Sequence, residues 1–280
     1  MHSLYLITGA AGGLGKAFAA ECASRGWDLL ITDLSEDRLR TLAAGLERSY
    51  GVEVCYRAAD LTQAASRAAL FAWAAGEGLR FRGLINVAGL DHEGMFLERN
   101  SEEITGILRL NIESALLMIH ALLPHRDHRL PLRIINVSSL AAYFAMPVKA
   151  TYAASKRFLL DFSLALRNEL RDENVAVTVL CPAGLPTTPV CIEAIEAQGL
   201  MGQLTTENVG KVAHQTVEAS LRGRAVVIPG ILNRLLLSLS SLVPASSIAE
   251  IVGTRWRLAH QRRSGQATGK PQVAQPAGPG

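Results

Sequence analysis

Short apolar runs recur along the chain, at residues 4–8, 29–33, 52–58, 83–87, 133–138, 175–181 and 225–229. Several are almost uniformly apolar, with β-branched residues and little polar alternation. A strand covered on one face alternates polar and apolar positions, whereas one covered on both faces has no polar side to show. The pattern therefore predicts a parallel sheet buried between two layers of helix. Residues 15–25, 34–50, 102–123 and 152–171 carry apolar positions at helical spacing, with Phe158, Phe162, Leu166 and Leu170 forming the stripe of the last. The charged turn Arg171 to Asn174 marks its exit from the core. Strand and helix thus alternate from residue 4 to residue 230, which predicts an α/β chain folded as a single doubly wound domain. The strand order is not carried by the pattern.

Composition narrows this picture. A chain of 280 residues with 49% hydrophobic residues supports one sizeable core and is short for two. The formal net charge is +3, but Arg255, Arg257, Arg262, Arg263 and Lys270 all fall after residue 250, where no acidic residue accompanies them. The remainder is slightly acidic, which argues against a nucleic-acid-binding body. Cys22, Cys55, Cys181 and Cys191 form no CxxC pair and read as reduced thiols, so a cytoplasmic setting is expected. The first apolar run lacks the charged leader and length of a secretory signal and reads as a structural strand.

The first run leads into TGAAGGLGKA, with Thr8, Gly9, Gly13 and Gly15 in the pattern T-G-x-x-x-G-x-G. Glycines between an apolar strand and an amphipathic helix allow a sharp turn and let a pyrophosphate approach the helix N-terminus. Gly9, Gly12, Gly13, Leu14 and Gly15 are therefore expected to contact a dinucleotide. The second run ends at Asp33, where a carboxylate can accept both ribose hydroxyls and would repel a 2′-phosphate. NAD is expected over NADP. Arg38, further along the next helix, is the residue that opposes this preference, and capping of that helix is the competing role for Asp33. Asp60 and Leu61 follow the third run in a place suited to the adenine edge, though a capping or turn role serves Asp60 as well. Asn86, Val87, Ala88 and Gly89 close the fourth run. There small residues let the chain pass beneath a flat ring, and Asn86 can cross-link neighbouring backbone.

Tyr152 and Lys156 stand on one face of a helix in TYAASK. A phenol near pKa 10 is a poor base at neutral pH, and an adjacent ammonium with an oxidised nicotinamide favours the phenolate. Ser139 ends the IINVSS run, where its hydroxyl can hold a substrate oxygen; Ser138 competes for that role. Asn111 lies within the predicted helix 102–123, where a buried amide needs a polar partner, such as a water leading to Lys156.

With these motifs in this order, residues 4–230 resemble the classical short-chain dehydrogenase/reductase family. The resemblance implies a Rossmann-type domain with a central parallel sheet of about seven strands. It assigns Asn111, Ser139, Tyr152 and Lys156 as a catalytic tetrad. In that assignment Tyr152 is the general acid/base, Ser139 orients and polarises the carbonyl, Lys156 binds the nicotinamide ribose and lowers the tyrosine pKa, and Asn111 holds a relay water. It also places Asn86, Ala88, Gly89, Tyr152, Lys156, Pro182, Gly184 and Thr187 at the cofactor. CPAGLPTT departs from the family by Ala183, where a glycine is usual. A homodimer or homotetramer through helices 102–123 and 152–171 is implied as well.

The resulting expectation is an NAD(H)-dependent oxidoreductase acting on a carbonyl or secondary alcohol of a largely apolar small molecule. An NADP(H)-dependent carbonyl reductase, an epimerase or dehydratase, and a nucleotide-sensing scaffold are the alternatives. His92, Glu93, Tyr143 and Met146 are candidate pocket residues, and no persuasive metal-ligand set is present. Residues 188–207 are expected to form either a helical lid or ordinary packing. Residues 231–263 read as an apolar, then basic, helical extension packed on the domain or at a subunit interface, with peripheral membrane contact as the less favoured reading. Residues 264–280 are expected to be disordered.

Overall fold

The computed structural model describes residues 3–197, 199–240, 244, 246–250 and 253–254. Its strands are β1 (Ser3–Thr8), β2 (Leu29–Asp33), β3 (Val54–Ala58), β4 (Arg80–Asn86), β5 (Leu132–Val137), β6 (Val175–Leu180) and β7 (Val226–Val227). All pair in parallel, in the order β3-β2-β1-β4-β5-β6-β7. The absence of alternation now has its cause. Tyr5 and Ile7 of β1 enter the core on one side of the sheet, while Leu4 and Leu6 enter the core on the other. The same division separates Ile85 from Leu84 in β4, and Ile135 from Ile134 in β5. Successive side chains point to opposite faces, and each face is covered, so every position must be apolar.

Helices α1 (Gly13–Ser24), α2 (Glu36–Tyr50) and, later in the chain, α9 (Val209–Leu221) supply the first face. On the other lie α3 (Ala64–Gly76), α5 (Ala115–Leu122) and α6 (Ala150–Glu169). The predicted helix 102–123 is three pieces: α4 (Ser101–Leu108), a wide π turn at Arg109–Ser114, and α5. The stretch Ser101–His125 has the length and hydropathy of a membrane-crossing helix. Ile107, Met118, Ile119 and Leu122 nevertheless give it a buried stripe, with the last three packed in the core under the sheet.

The apolar pattern misplaced some boundaries. β4 begins at Arg80, three residues before the predicted run, because its early positions are arginines. Arg82 is accommodated by lying over the Tyr5 and Trp27 rings, at 5.7 and 5.4 Å from their centroids. The last run shrinks to Val226–Val227. Tyr5 and Trp27 stack at 4.4 Å, and the Tyr5 ring occupies the space above Gly83, where an added Cβ would lie 2.0 Å from the ring. Gly83→Ala is therefore expected to cost about 1–3 kcal/mol of stability through overpacking, measurable by urea unfolding.

After β6 the chain forms α7 (Pro189–Ala197) and α8 (Leu200–Thr205), and after β7 it forms α10 (Ile231–Ser240). The buried Asn233 amide ties α10 down by donating to the Thr205 carbonyl at 3.0 Å and the Pro229 carbonyl at 2.9 Å. Ile231, Leu235 and Leu239 form an exposed apolar stripe on the same helix. The chain returns at Gly253, whose close approach to Pro147 would be blocked by a Cβ at 2.6 Å. The predicted disordered tail, 264–280, lies outside the described residues.

Candidate active site

The glycine loop is built by close backbone approach. Gly9 adopts a φ of +63°, and a Cβ there would sit 2.8 Å from the Ala88 backbone. At Gly15 the added atom would lie 2.1 Å from the Gly9 carbonyl oxygen, and at Gly13 it would lie 2.9 Å from Thr187. Thr8 joins this loop to its neighbour by accepting the Val87 and Ala88 N–H groups on its hydroxyl, at 3.1 and 3.2 Å. Helix α1 starts with Gly12 as its cap, no side-chain cap and no acidic residue in its first turn. A cradle this close to backbone, at a helix start with amides aimed outward, fits a pyrophosphate. Leu14 is buried in the core on the α1 side of the sheet, and Leu61 in the core on the other side.

At the end of β2, Asp33 accepts the Ala11 N–H at 2.9 Å and the Leu34 N–H at 2.7 Å. It does not cap α2. Ser35 does, accepting the Arg38 N–H at 3.4 Å, so the carboxylate is left at the cleft. The Arg38 guanidinium donates to the Ala11 carbonyl at 2.6 Å, which brings it to the same residue whose N–H Asp33 holds. Asp60 serves a turn: its carboxylate accepts the Thr62 N–H at 2.9 Å and hydroxyl at 2.7 Å. Asn86 donates to the Ala115 carbonyl at 3.3 Å and to Asn136 at 2.9 Å, and Asn136 donates on to Ser163 at 2.9 Å. This buried ladder fixes the carboxyl ends of β4 and β5 against α6.

The two serines separate cleanly. Ser138 is buried and donates to the Lys156 carbonyl at 2.7 Å, so its hydroxyl is spent on the helix. Ser139 accepts the Ala141 N–H at 3.1 Å and hydrogen-bonds the Tyr152 phenol. Lys156 is only 4% exposed. Its ammonium donates to the Val137 carbonyl at 2.9 Å and sits 5.7 Å from the Tyr152 ring centroid. Burial pulls the Lys156 pKa down to about 8, with the Asp91 carboxylate opposing. The Tyr152 phenol is pushed well above its ordinary value, first by burial and then by Asp91, while the Ser139 hydrogen bond works against both.

Asn111 falls in the wide turn between α4 and α5 and is 1% exposed, so its amide must find its partners inside the protein. Its amide accepts the Leu90 N–H at 2.8 Å and donates to the Leu90 carbonyl at 2.9 Å and the Ser155 hydroxyl at 3.0 Å. Gly89 lies between this amide and Lys156, since a Cβ there would be 3.1 Å from Asn111 Oδ1 and 3.2 Å from Lys156 Nζ. Asn111, Lys156, Tyr152 and Ser139, drawn from two helices and a strand end, thus converge at one edge of the sheet.

The other predicted residues are divided. Thr187 packs over Gly13, whereas Gly184 faces Ile195 of α7, with an added Cβ 3.1 Å from it. The Pro182 carbonyl accepts the Leu140 N–H at 2.7 Å. Residues 189–197 and 200–205 form two short helices after β6. A cavity of about 170 Å³ between the loop after β4, α4 and the start of α6 is lined by His92, Met95, Ile104, Ile107, Pro147 and Thr151. Met146 is buried, and Tyr143 packs in a separate cluster with Leu160 and Cys181. Glu93 pairs with Lys149 at 3.5 Å, and Lys149 also pairs with Asp91. Lys149 and Val148 were not singled out by the sequence reading, because nothing in the local pattern distinguishes a loop lysine whose partners lie so far along the chain.

A family profile described as short chain dehydrogenase matches residues 3–198. The chain is 30% identical over 248 residues to the human protein named 17-beta-hydroxysteroid dehydrogenase type 3, covering 86% of this chain and 75% of the human one. It is also 30% identical over 174 residues to the very-long-chain 3-oxoacyl-CoA reductase of Laccaria bicolor, covering 61% of this chain. The match spans about half, 52%, of that fungal protein. Among solved structures, a short-chain dehydrogenase from Sphingobium yanoikuyae in complex with NADPH superposes with a TM-score of 0.71 at 27% identity, covering 98% of both chains. One from Burkholderia phymatum in complex with NAD superposes at 0.75 and 23% identity, covering 86% of this chain and 93% of that one, a likeness of fold.

Proposed function

The chain belongs to the short-chain dehydrogenase family, and from that premise we propose that it exchanges a hydride between NAD(H) and a carbonyl or secondary alcohol on a largely apolar small molecule. The observation that carries this reading is the Tyr152 phenol, held by Ser139 and flanked by the Lys156 ammonium, at the same sheet edge as a glycine cradle fit for a dinucleotide. The nicotinamide cofactor supplies or accepts the hydride when bound. Gly9, Gly13 and Gly15 would admit its pyrophosphate, Asp33 its adenosine ribose, and Lys156 with Thr187 its nicotinamide end.

The protein's own work is proton transfer and orientation. In reduction, Ser139 holds the carbonyl oxygen while Tyr152 Oη delivers a proton to it. In oxidation the phenolate takes that proton back. Lys156 lowers the free energy of the phenolate through space, its direct hydrogen bond going to Val137. Asn111 braces Leu90 in the loop after β4 and Ser155 on the helix that carries both Tyr152 and Lys156.

Apolar side chains at Met95, Ile104 and Ile107 support a substrate with hydrocarbon bulk. The names of the human and Laccaria relatives, a hydroxysteroid dehydrogenase and an oxoacyl-CoA reductase, agree with such a substrate. Exposed Leu108, Leu117 and Phe158 on the α4–α5 and α6 helices support assembly as a homodimer or homotetramer. The free cysteines support a reducing, cytoplasmic setting.

The preference for NAD rests on Asp33, with Arg38 as its counterweight. Fluorescence titration of the pure protein should give NADH binding at least about tenfold tighter than NADPH, a difference of about 1.4 kcal/mol. Asp33→Ser should erase that difference. Tighter NADPH binding by the wild type would contradict the preference and assign Arg38 to the 2′-phosphate; binding of neither would remove the hydride-transfer reading altogether.

A further inference from the structure

Val148 has a φ of +72°, a conformation that a β-branched residue adopts only under constraint. The constraint is visible. Val148 is buried, and its carbonyl accepts the Gly94 N–H at 2.9 Å, tying the segment before α6 to the loop after β4. The next residue, Lys149, closes the same gap with charge: its ammonium pairs with Asp91 and lies 3.5 Å from Glu93. The side chains of Lys149 and Glu93 are 11% and 13% exposed. That separates this pair from ordinary surface ion pairs, which are worth little. The ammonium also stands 5.5 Å from the Tyr152 ring centroid, as near as Lys156 at 5.7 Å.

We propose that Lys149 is a positioning residue that clasps the pocket rim at 91–94 to the start of α6 by pairing with Asp91 and Glu93, and that it neutralises the Asp91 carboxylate beside Tyr152, so setting the pH range in which Tyr152 works. The groups facing Tyr152 are Lys149 just before α6, Lys156 on α6, Asp91 from the loop after β4, Ser139 after β5, Cys181 after β6 and Cys191 on α7, while Glu93 pairs with Lys149. Of these, Asp91 is the carboxylate that most disfavours the phenolate. Removal of Lys149 leaves that carboxylate unopposed at the rim, while removal of the Asp91 charge relieves it. The two substitutions therefore act in opposite directions, which a loss of packing would not do.

The pH arm rests on the reading of Tyr152 as the acid/base; the clasp itself does not. Two measurements on the same purified proteins keep them apart. The first is the pH dependence of kcat/KM for oxidation of 1-phenylethanol and 2-octanol with NAD, in wild type, Lys149→Met, Lys149→Arg and Asp91→Asn. The rising limb should move up by about one unit in Lys149→Met and down in Asp91→Asn, with Lys149→Arg close to wild type. The second is hydrogen–deuterium exchange across residues 91–99, which should lose protection in Lys149→Met and keep it in Lys149→Arg.

Limbs that stay in place, or move the same way in both charge variants, overturn the electrostatic role. Unchanged exchange at 91–99 in Lys149→Met overturns the clasp. If wild type oxidises neither alcohol, that failure counts against the functional reading, and the exchange result alone still decides the clasp.

Discussion

Tyr152→Phe is expected to lower kcat by about 10²–10⁴-fold, the usual contribution of a positioned general acid/base, while changing NADH affinity less than twofold. The substitution removes one oxygen and leaves the ring between Lys149 and Lys156, so the helix that carries it has no reason to move. Ser139 loses its partner but keeps the Ala141 N–H. Steady-state kinetics on any ketone that the wild type reduces, with a parallel NADH titration, separates proton transfer from binding. Full retention of turnover would sink the role assigned to Tyr152. Loss of cofactor affinity along with turnover would instead point to a ring contact that positions the nicotinamide.

Gly15→Ala carries the second large effect, on binding. The Cβ it introduces would lie 2.1 Å from the Gly9 carbonyl oxygen and 2.7 Å from Ala10 Cα. Both are backbone, so no rotamer change relieves the clash, and either the loop or the first turn of α1 must shift. A cradle whose function is close approach then loses its geometry. NADH affinity should fall by at least about 100-fold, roughly 2.7 kcal/mol, with a further cost of about 1–3 kcal/mol in folding stability. Gly45 is the control: it lies inside α2 with nothing within 4 Å of an added Cβ. Gly45→Ala should be neutral or stabilising by about 0.5–1 kcal/mol and leave NADH binding unchanged.

Much of the fold could be read before the structure because a doubly covered parallel sheet writes itself as uninterrupted apolar runs. The reading failed where tertiary contacts override that rule. β4 opens with an exposed Arg80 and with Arg82, whose guanidinium is accepted within the strand by the aromatic faces of Tyr5 and Trp27, which no hydropathy pattern signals. Alanine-rich α3 went unnoticed because Leu70, Phe71 and Ala74 give it only a narrow buried stripe. The wide turn at Asn111 interrupts a continuous helical pattern without a glycine or proline to mark it.

At the site, residues joined by short fixed spacings were legible and those joined across the fold were not. Tyr152 and Lys156 share one helix face, and the glycines share one loop. The family resemblance assigns Ser139, but the reason Ser138 cannot serve, its hydrogen bond to the Lys156 carbonyl, is seen only in the fold. Removing Asp33 from helix capping required seeing Ser35 in that place. Arg38 illustrates the limit most sharply: the sequence places it beyond the ribose carboxylate, and the structure brings its guanidinium back to Ala11.

The central claim is that this chain moves a hydride to a carbonyl carbon, and isotope transfer tests it most directly. Wild-type protein incubated with a ketone and NADH carrying deuterium at both C4 positions should yield an alcohol with one deuterium on the carbinol carbon, while Tyr152→Phe yields almost none. Alcohol formed without deuterium, or deuterium transfer equal in the two proteins, would contradict the account.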